Sequence, residues 1–182
     1  MSRFLAAGAA AAVAVSCGNP DNQIFLVSGL IPNSFITSVG SAVSAVVDIK
    51  DSQGNTRPVS VFVLTNRADL CKSLGNRPDY FQNPPEAYVA YVLATVADRL
   101  GNFAIGATNG ASASLLITAG PGNPVRVYGG VGGQVSVREF NQNPGGEGVG
   151  TFDVIFADGS DVAEYFGRFK TQTCTALKQV QF

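Results

Sequence analysis

The residues best placed to do chemistry are two carboxylates, Asp153 and Glu164, one on each side of Asp158-Gly159. That dipeptide suits a two-residue type I′ turn between two alternating apolar segments, 149–157 and 160–170. A turn at those two residues sets Phe152 opposite Tyr165, Val154 opposite Ala163 and Gly150 opposite Gly167, on an apolar face with Phe156 and Phe169. The other face pairs Glu147 with Lys170 and Asp153 with Glu164. Directly opposed residues hold their Cβ atoms about 4.5–5.5 Å apart, close to the roughly 5–5.5 Å that separates the two carboxyl groups of a retaining glycosidase. Like charges on a solvated sheet face are the blander reading. It is the preferred one, because such a pair costs only roughly a few tenths of a kcal/mol.

The rest of the composition narrows chemistry further. There is no histidine, which removes Ser-His-Asp and Cys-His relays and His-ligated zinc or iron. Catalysis would fall to carboxylates, Lys, Tyr, or a hydroxyl activated without imidazole, so the chain is not expected to be an enzyme. No cofactor or metal is expected either. Gly129-Gly-Val-Gly-Gly133 matches neither dinucleotide nor Walker spacing, and a strand follows it, so it reads as a turn. Asp51, Gln53 and Asn55 lack the terminal carboxylate of a calcium loop. With 12 basic and 13 acidic side chains, there is no positive field for nucleic acid.

The elements that must carry these residues are mainly β. Residues 24–30 form an apolar run, and 43–50 with 59–65 form a hairpin around Gly54. Asn66 is a candidate N-cap for a two-turn helix with Asp69 in its first turn, Leu70 and Leu74 on one face and Gly75 at its end. Residues 76–86, with three prolines, are a loop whose Tyr80 and Phe81 suggest either a ligand platform or, preferably, packing over a sheet edge. Residues 87–97 are flanked by helix-compatible Pro84, Pro85 and Gly101. Tyr88, Val89, Tyr91, Val92 and Val96 nonetheless favour a central strand apolar on both faces. Further segments at 103–106, 112–118, 125–128 and 134–140 complete an antiparallel β-sandwich or barrel-like single domain with one short helix.

The amino terminus addresses this domain. Arg3, an apolar run from Phe4 to Val15 and then Ser16-Cys17-Gly18 form an export signal, too short at roughly 13 apolar residues to span a bilayer. Ala14-Val15-Ser16 also satisfies the small-x-small rule of an ordinary secretion signal cleaved after Ser16. If Cys17 carries lipid, Cys71 and Cys174 remain as an even pair for a disulfide in an oxidising compartment.

Ala14-Val15-Ser16-Cys17 resembles the lipobox of bacterial lipoproteins, with Ala14 where that motif prefers Leu. The resemblance implies cleavage before Cys17 and diacylglyceryl transfer to its thiol. Residues 1–16 would then be a signal peptide, 17–23 a lipid-anchored tether and 24–182 the extracytoplasmic domain. Gly18 rather than Asp after the cysteine implies sorting to an outer membrane. A wider resemblance runs through Asp69-Leu-Cys71, residues 100–106, residues 150–159 and Gly167-Arg-Phe-Lys-Thr-Gln-Thr-Cys174. In this order the chain is similar to small lipoproteins without assigned activity from myxobacteria and related groups. The expectation is a structural or binding module at the cell envelope, held to the membrane by its N-terminal lipid and facing a protein or glycan ligand. A freely secreted binding protein and a carboxylate hydrolase are the alternatives.

Overall fold

β-branched and aromatic residues at alternating positions build nine strands in the computed structural model. It describes residues 21–32, 38–50, 54–107 and 110–180. The signal segment, Cys17, Asp51 and Gln53 lie outside the described residues. In chain order the strands are β1 (Gln23–Leu30), β2 (Ser41–Lys50), β3 (Thr56–Thr65), β4 (Tyr88–Val96), β5 (Gly101–Ala104), β6 (Ser112–Thr118), β7 (Arg126–Phe140), β8 (Glu147–Asp158) and β9 (Asp161–Thr173). The helix α1 (Leu70–Asn76) falls between β3 and β4, and a 3-10 helix, Thr175–Gln179, follows β9. Residues 87–97 are thus a strand, flanked by β3 and β6.

The sheet closes into a ring through β2, β3, β4, β6, β7, β8 and β9, with β1 added beside β9 and β5 beside β7. Two long strands turn the corners. β9 pairs with β1 over its first half and with β2 only at Gln172 and Thr173. β7 pairs with β6 over Arg126–Gly129 and with β5 over Gln134–Val137. The result is a flattened barrel, with one wall made of β2, β3, β4 and β6 and the other of β1, β9, β8, β7 and β5. Every pairing between the named strands is antiparallel except the short β2–β9 contact that closes the ring. Cys174 N–H donates to the Ser44 carbonyl at 2.8 Å there, and the buried Thr171 Oγ1 lies 2.8 Å from Ser44 Oγ. The enclosed core includes Phe62, Leu64, Tyr91 and Leu93 from one wall and Phe152, Val154, Phe156, Tyr165 and Phe169 from the other.

Two sequence expectations are corrected within the second wall. The β8–β9 turn is Gly159-Ser160, because Asp158 pairs with Asp161. Gly159 has φ 60 and Ser160 is not left-handed, so the glycine serves as the first turn residue, as a type II′ turn requires. The register moves by two residues, which preserves faces but changes partners. Phe152 stands opposite Gly167, and Phe169 opposite Gly150. Each glycine vacates the space that an aromatic ring fills. A Cβ on Gly167 would come within 2.3 Å of the Phe152 ring, and one on Gly150 within 2.5 Å of the Phe169 ring.

The second correction concerns Gly129-Gly-Val-Gly-Gly133, which is a bulge inside β7 and not a turn. The ladder to β8 slips between Gly130 and Gly132, leaving Val131 as the extra residue. Gly133 has φ 101, and a Cβ there would fall 2.0 Å from the Asp153 carbonyl oxygen. The glycines therefore let one strand bend from β6 to β5 without leaving the sheet.

A second apolar layer covers part of the outer face of the first wall. Leu70 and Leu74 of α1, Leu177 of the 3-10 helix, and Tyr80 and Phe81 of the intervening loop are all buried against it. Tyr80 and Phe81 thus pack over the sheet, the preferred reading, while Phe81 also borders the groove described below. Asn66 is not the helix cap. The helix starts at Leu70 behind Asp69, which has φ 53 and makes no side-chain cap, and it ends at Asn76 after passing through Gly75. Asn66 instead ties the loop to β4, its Oδ1 accepting the Val89 N–H at 3.0 Å.

Candidate functional site

The first wall is apolar on both faces because residues 58–64 of β3 and Tyr88–Val96 of β4 are apolar at every position but Ser60 and Thr95. Phe62, Leu64, Tyr91 and Leu93 point inward, while Val59, Val61, Val63, Ala90, Val92 and Ala94 point outward. An outward apolar face must be covered or remain available to a partner. The helical layer covers only the end nearest Val63 and Ala90. It is clamped to the barrel by the Cys71–Cys174 disulfide, whose Cα atoms are 5.6 Å apart. Below the edge of that layer an open groove of about 660 Å³ remains. Its floor is formed by Val59 and Val61 on β3, Ala94 on β4, Leu116 on β6 and Val127 at the start of β7, and Phe81 forms its wall.

The groove is a site because of its chemistry as well as its shape. Its volume falls within the range of small-molecule pockets, and its lining is predominantly apolar with a few polar groups, as such pockets are. Polar atoms come from Ser112, Ser114 and Gln82, and among the described residues the one charged lining residue is Lys50. Val127 is 53 % exposed although it lies on an otherwise apolar surface. The wall is rigid. Phe81, Tyr80 and Tyr88 pack with ring centroids 5.5–5.7 Å apart. The Tyr88 hydroxyl donates to the Phe81 carbonyl, and the Tyr80 hydroxyl donates to Glu86, each at 3.0 Å. Burial, aided by Glu86, pushes the Tyr80 hydroxyl up to about 12, so these tyrosines are neutral props at ordinary pH and not acid–base groups.

The carboxylates lie elsewhere, on the outer face of the second wall. With the corrected register Asp153 faces Phe166 and Glu164 faces Ile155, so the two acids are diagonal neighbours and not directly opposed. Burial, then the charge of Glu164 and a hydrogen bond with it, raises Asp153 above the usual carboxylate range. The Ser28 hydroxyl donates to Glu164 Oε2 at 3.1 Å. The half-exposed Phe25 and Phe166 flank the pair. Neither acid lines the groove, and no cluster of three metal-ligating side chains is present among the described residues. The two acids stand on an outer sheet face and not in the groove. Glu147 and Lys170 do form the expected ion pair, at 3.1 Å, although the ladder sets Glu147 opposite Gln172.

Sequence reasoning missed the groove. The signal was present in the two-sided apolarity of residues 59–65 and 88–96, but the limit of the covering layer is a tertiary fact. Comparison of the chain with family models, with curated proteins and with solved structures finds no match.

Proposed function

We propose that this chain is a lipid-anchored binding module of the cell envelope, tethered through Cys17 and working outside the cytoplasm, as the resemblance to small bacterial lipoproteins implies. The supporting observation is the cysteine balance. Cys71 and Cys174 are bonded to each other across 103 positions, which leaves Cys17 as the one cysteine outside that bond. A structural disulfide suits an oxidising compartment, and a thiol that must accept lipid cannot also be committed to a bridge. Binding rather than catalysis is supported by an open apolar groove with no carboxylate among its described lining residues.

Intact mass of the mature protein tests the anchor. Residues 17–182 carrying a diacylglyceryl group on Cys17 is the expected species. An unmodified Cys17, with the protein free in the medium, would overturn the anchor in favour of secretion.

A further inference from the structure

We propose that the exposed surface of β1 and β9 docks on the phospholipid bilayer, lying against the leaflet into which a lipid on Cys17 would insert. This names a partner for the envelope module proposed above and rests on its lipid anchor, but not on the groove. The surface is apolar and open. Among the described residues, six of the nine large hydrophobic side chains that remain exposed are on these two strands: Phe25, Leu26, Val27 and Leu30 on β1, and Val162 and Phe166 on β9. The register sets Phe25 beside Phe166 and Leu30 beside Val162, so they form one patch, and a contiguous apolar patch marks an interaction surface. β1 is an edge strand paired to β9 alone, and the sequence has no charged residue between Asp21 and Asp48.

The point of attachment selects what covers this patch. Asn22 stitches the start of β1 to β9: its Oδ1 accepts the Lys170 N–H at 2.8 Å, and its Nδ2 donates to the Lys170 carbonyl at 3.2 Å. Cys17 precedes that fixed point by only a few residues, and five residues of chain reach at most about 18 Å. Phe25 to Leu30 covers about 17 Å along the strand. An anchored domain therefore holds the patch within one tether length of the lipid, where even a weak partition of apolar side chains becomes an intramolecular step.

Charge favours a bilayer over a second copy of the chain. Asp153 and Glu164 belong to the same surface, Asp153 opposite Phe166 and Glu164 opposite Ser28. Two copies meeting across a two-fold axis would present this surface to each other and bring both acid pairs into one dehydrated interface. The bulge at Val27, where the β1–β9 register slips, also interrupts the edge along which a further strand would add. A zwitterionic leaflet meets the two acids with water and ammonium headgroups, while its acyl boundary receives the Phe, Leu and Val side chains. Arg168 is exposed beside Gln23 at the tether end of the patch, where a lipid phosphate suits its guanidinium.

The test uses residues 17–182 in phosphatidylcholine vesicles, with Cys17 coupled to a maleimide phospholipid. Cys71 and Cys174 are bonded to each other, so Cys17 is the thiol that couples, and the domain is tethered whether or not the cell lipidates it. The chain has no tryptophan, so Phe166→Trp supplies a single reporter on the patch. Lipids brominated in their acyl chains should quench it about twofold or more, whereas Val127→Trp, on the outer face of the opposite wall, should stay as bright as with unbrominated lipid. Phe25→Ser and Leu30→Ser together should remove the quenching of Phe166→Trp, and Asp153→Asn with Glu164→Gln should deepen it by sparing two charges from dehydration. Should the serine pair fail to fold by circular dichroism, the two tryptophans and the amide pair decide alone. Equal quenching of the two tryptophans, quenching untouched by the serine pair or weakened by the amide pair, or a dimer of the untethered chain that the serine pair dissolves would each overturn the proposal. Intact mass of the cellular protein is a separate readout: an unmodified Cys17 there fails the anchor, while an unquenched Phe166→Trp on the tethered chain fails the docking.

Discussion

Replacing Gly167 with Ala should destabilise the domain, against the usual direction for a glycine in a strand. Gly→Ala at an unstrained strand position ordinarily stabilises by about 0.5–1 kcal/mol, because the unfolded chain loses freedom. At Gly167 the new methyl would stand 2.3 and 2.5 Å from two carbons of the Phe152 ring and 3.1 Å from the Gln23 carbonyl oxygen. The ring cannot swing aside cheaply, since Phe152 is 1 % exposed and packs on Tyr91 with centroids 5.8 Å apart. Overpacking of this kind costs about 1–3 kcal/mol. Set against the backbone gain, the expected net loss is about 1–2 kcal/mol, or about 2–8 °C in Tm for a domain of this size. Urea and thermal unfolding of the oxidised protein, followed by circular dichroism, measure it. Phe152→Leu in the Gly167→Ala background should recover part of the loss, as a coupling term in a double-mutant cycle. With a turn at Asp158-Gly159, Gly167 would face Gly150 and the methyl would be welcome. A neutral or stabilising Gly167→Ala would therefore refute the Gly159-Ser160 turn and the ring-over-glycine packing together.

Four further outcomes are expected. Replacing Cys71 and Cys174 with Ala should cost about 2–5 kcal/mol, because a closure spanning 103 positions lies near the long-loop end of the chain-entropy scale; a loss below about 1 kcal/mol would contradict that role. Thr95 is 2 % exposed and its hydroxyl has no hydrogen-bond partner among the described residues, so Thr95→Val should raise the urea midpoint, by about 1 kcal/mol of stability; a lower midpoint would reveal a partner. Burial raises Tyr80 to about 12 and lifts Tyr88 and Tyr91 further above the ordinary value of 10.0. The folded state thus holds these protons more tightly than the unfolded chain, so stability should be intact below pH 10 and fall as pH rises toward 12 and beyond; a flat alkaline melting profile would refute this. Asp153 is likewise raised, so folding disfavours its ionised form, and Asp153→Asn should stabilise at pH 7 but lose that advantage below about pH 4, where the acid is protonated in both states; destabilisation at pH 7 would show that the charge is needed.

Much of the fold was legible because local chemistry dominated it. The 43–50 and 59–65 hairpin, the central strand at 88–96 and the alternating faces of β8 and β9 all follow from side-chain period and turn residues. The failures share a cause, in that glycine has more than one use. Gly159 could take either turn position, and only the ring-over-glycine pairs at Gly150 and Gly167 favour the observed register. Gly129–Gly133 resembles a turn until two neighbouring strands, β5 and β6, must both be paired with β7. Asn66 has the right chemistry for a cap, but the Val89 N–H competed for it and won. At the candidate site the cysteine pair was readable by counting. The groove was not, since nothing local to α1 or the Tyr80 loop says how far across the sheet they reach.

The pairing of β1 with β9 also sets a schedule for synthesis. Ile24 is matched to Gly167 and Leu30 to Val162, so the first strand to leave the ribosome waits for the last one. Until then its backbone donors and acceptors have no sheet to join, and the wall it belongs to cannot form. The ring is closed later still, by Gln172 and Thr173 against Val43 and Ser44. A topology that defers closure to its final residues resists folding during translation, because its longest-range pairings can form only once the last strand is free of the ribosome.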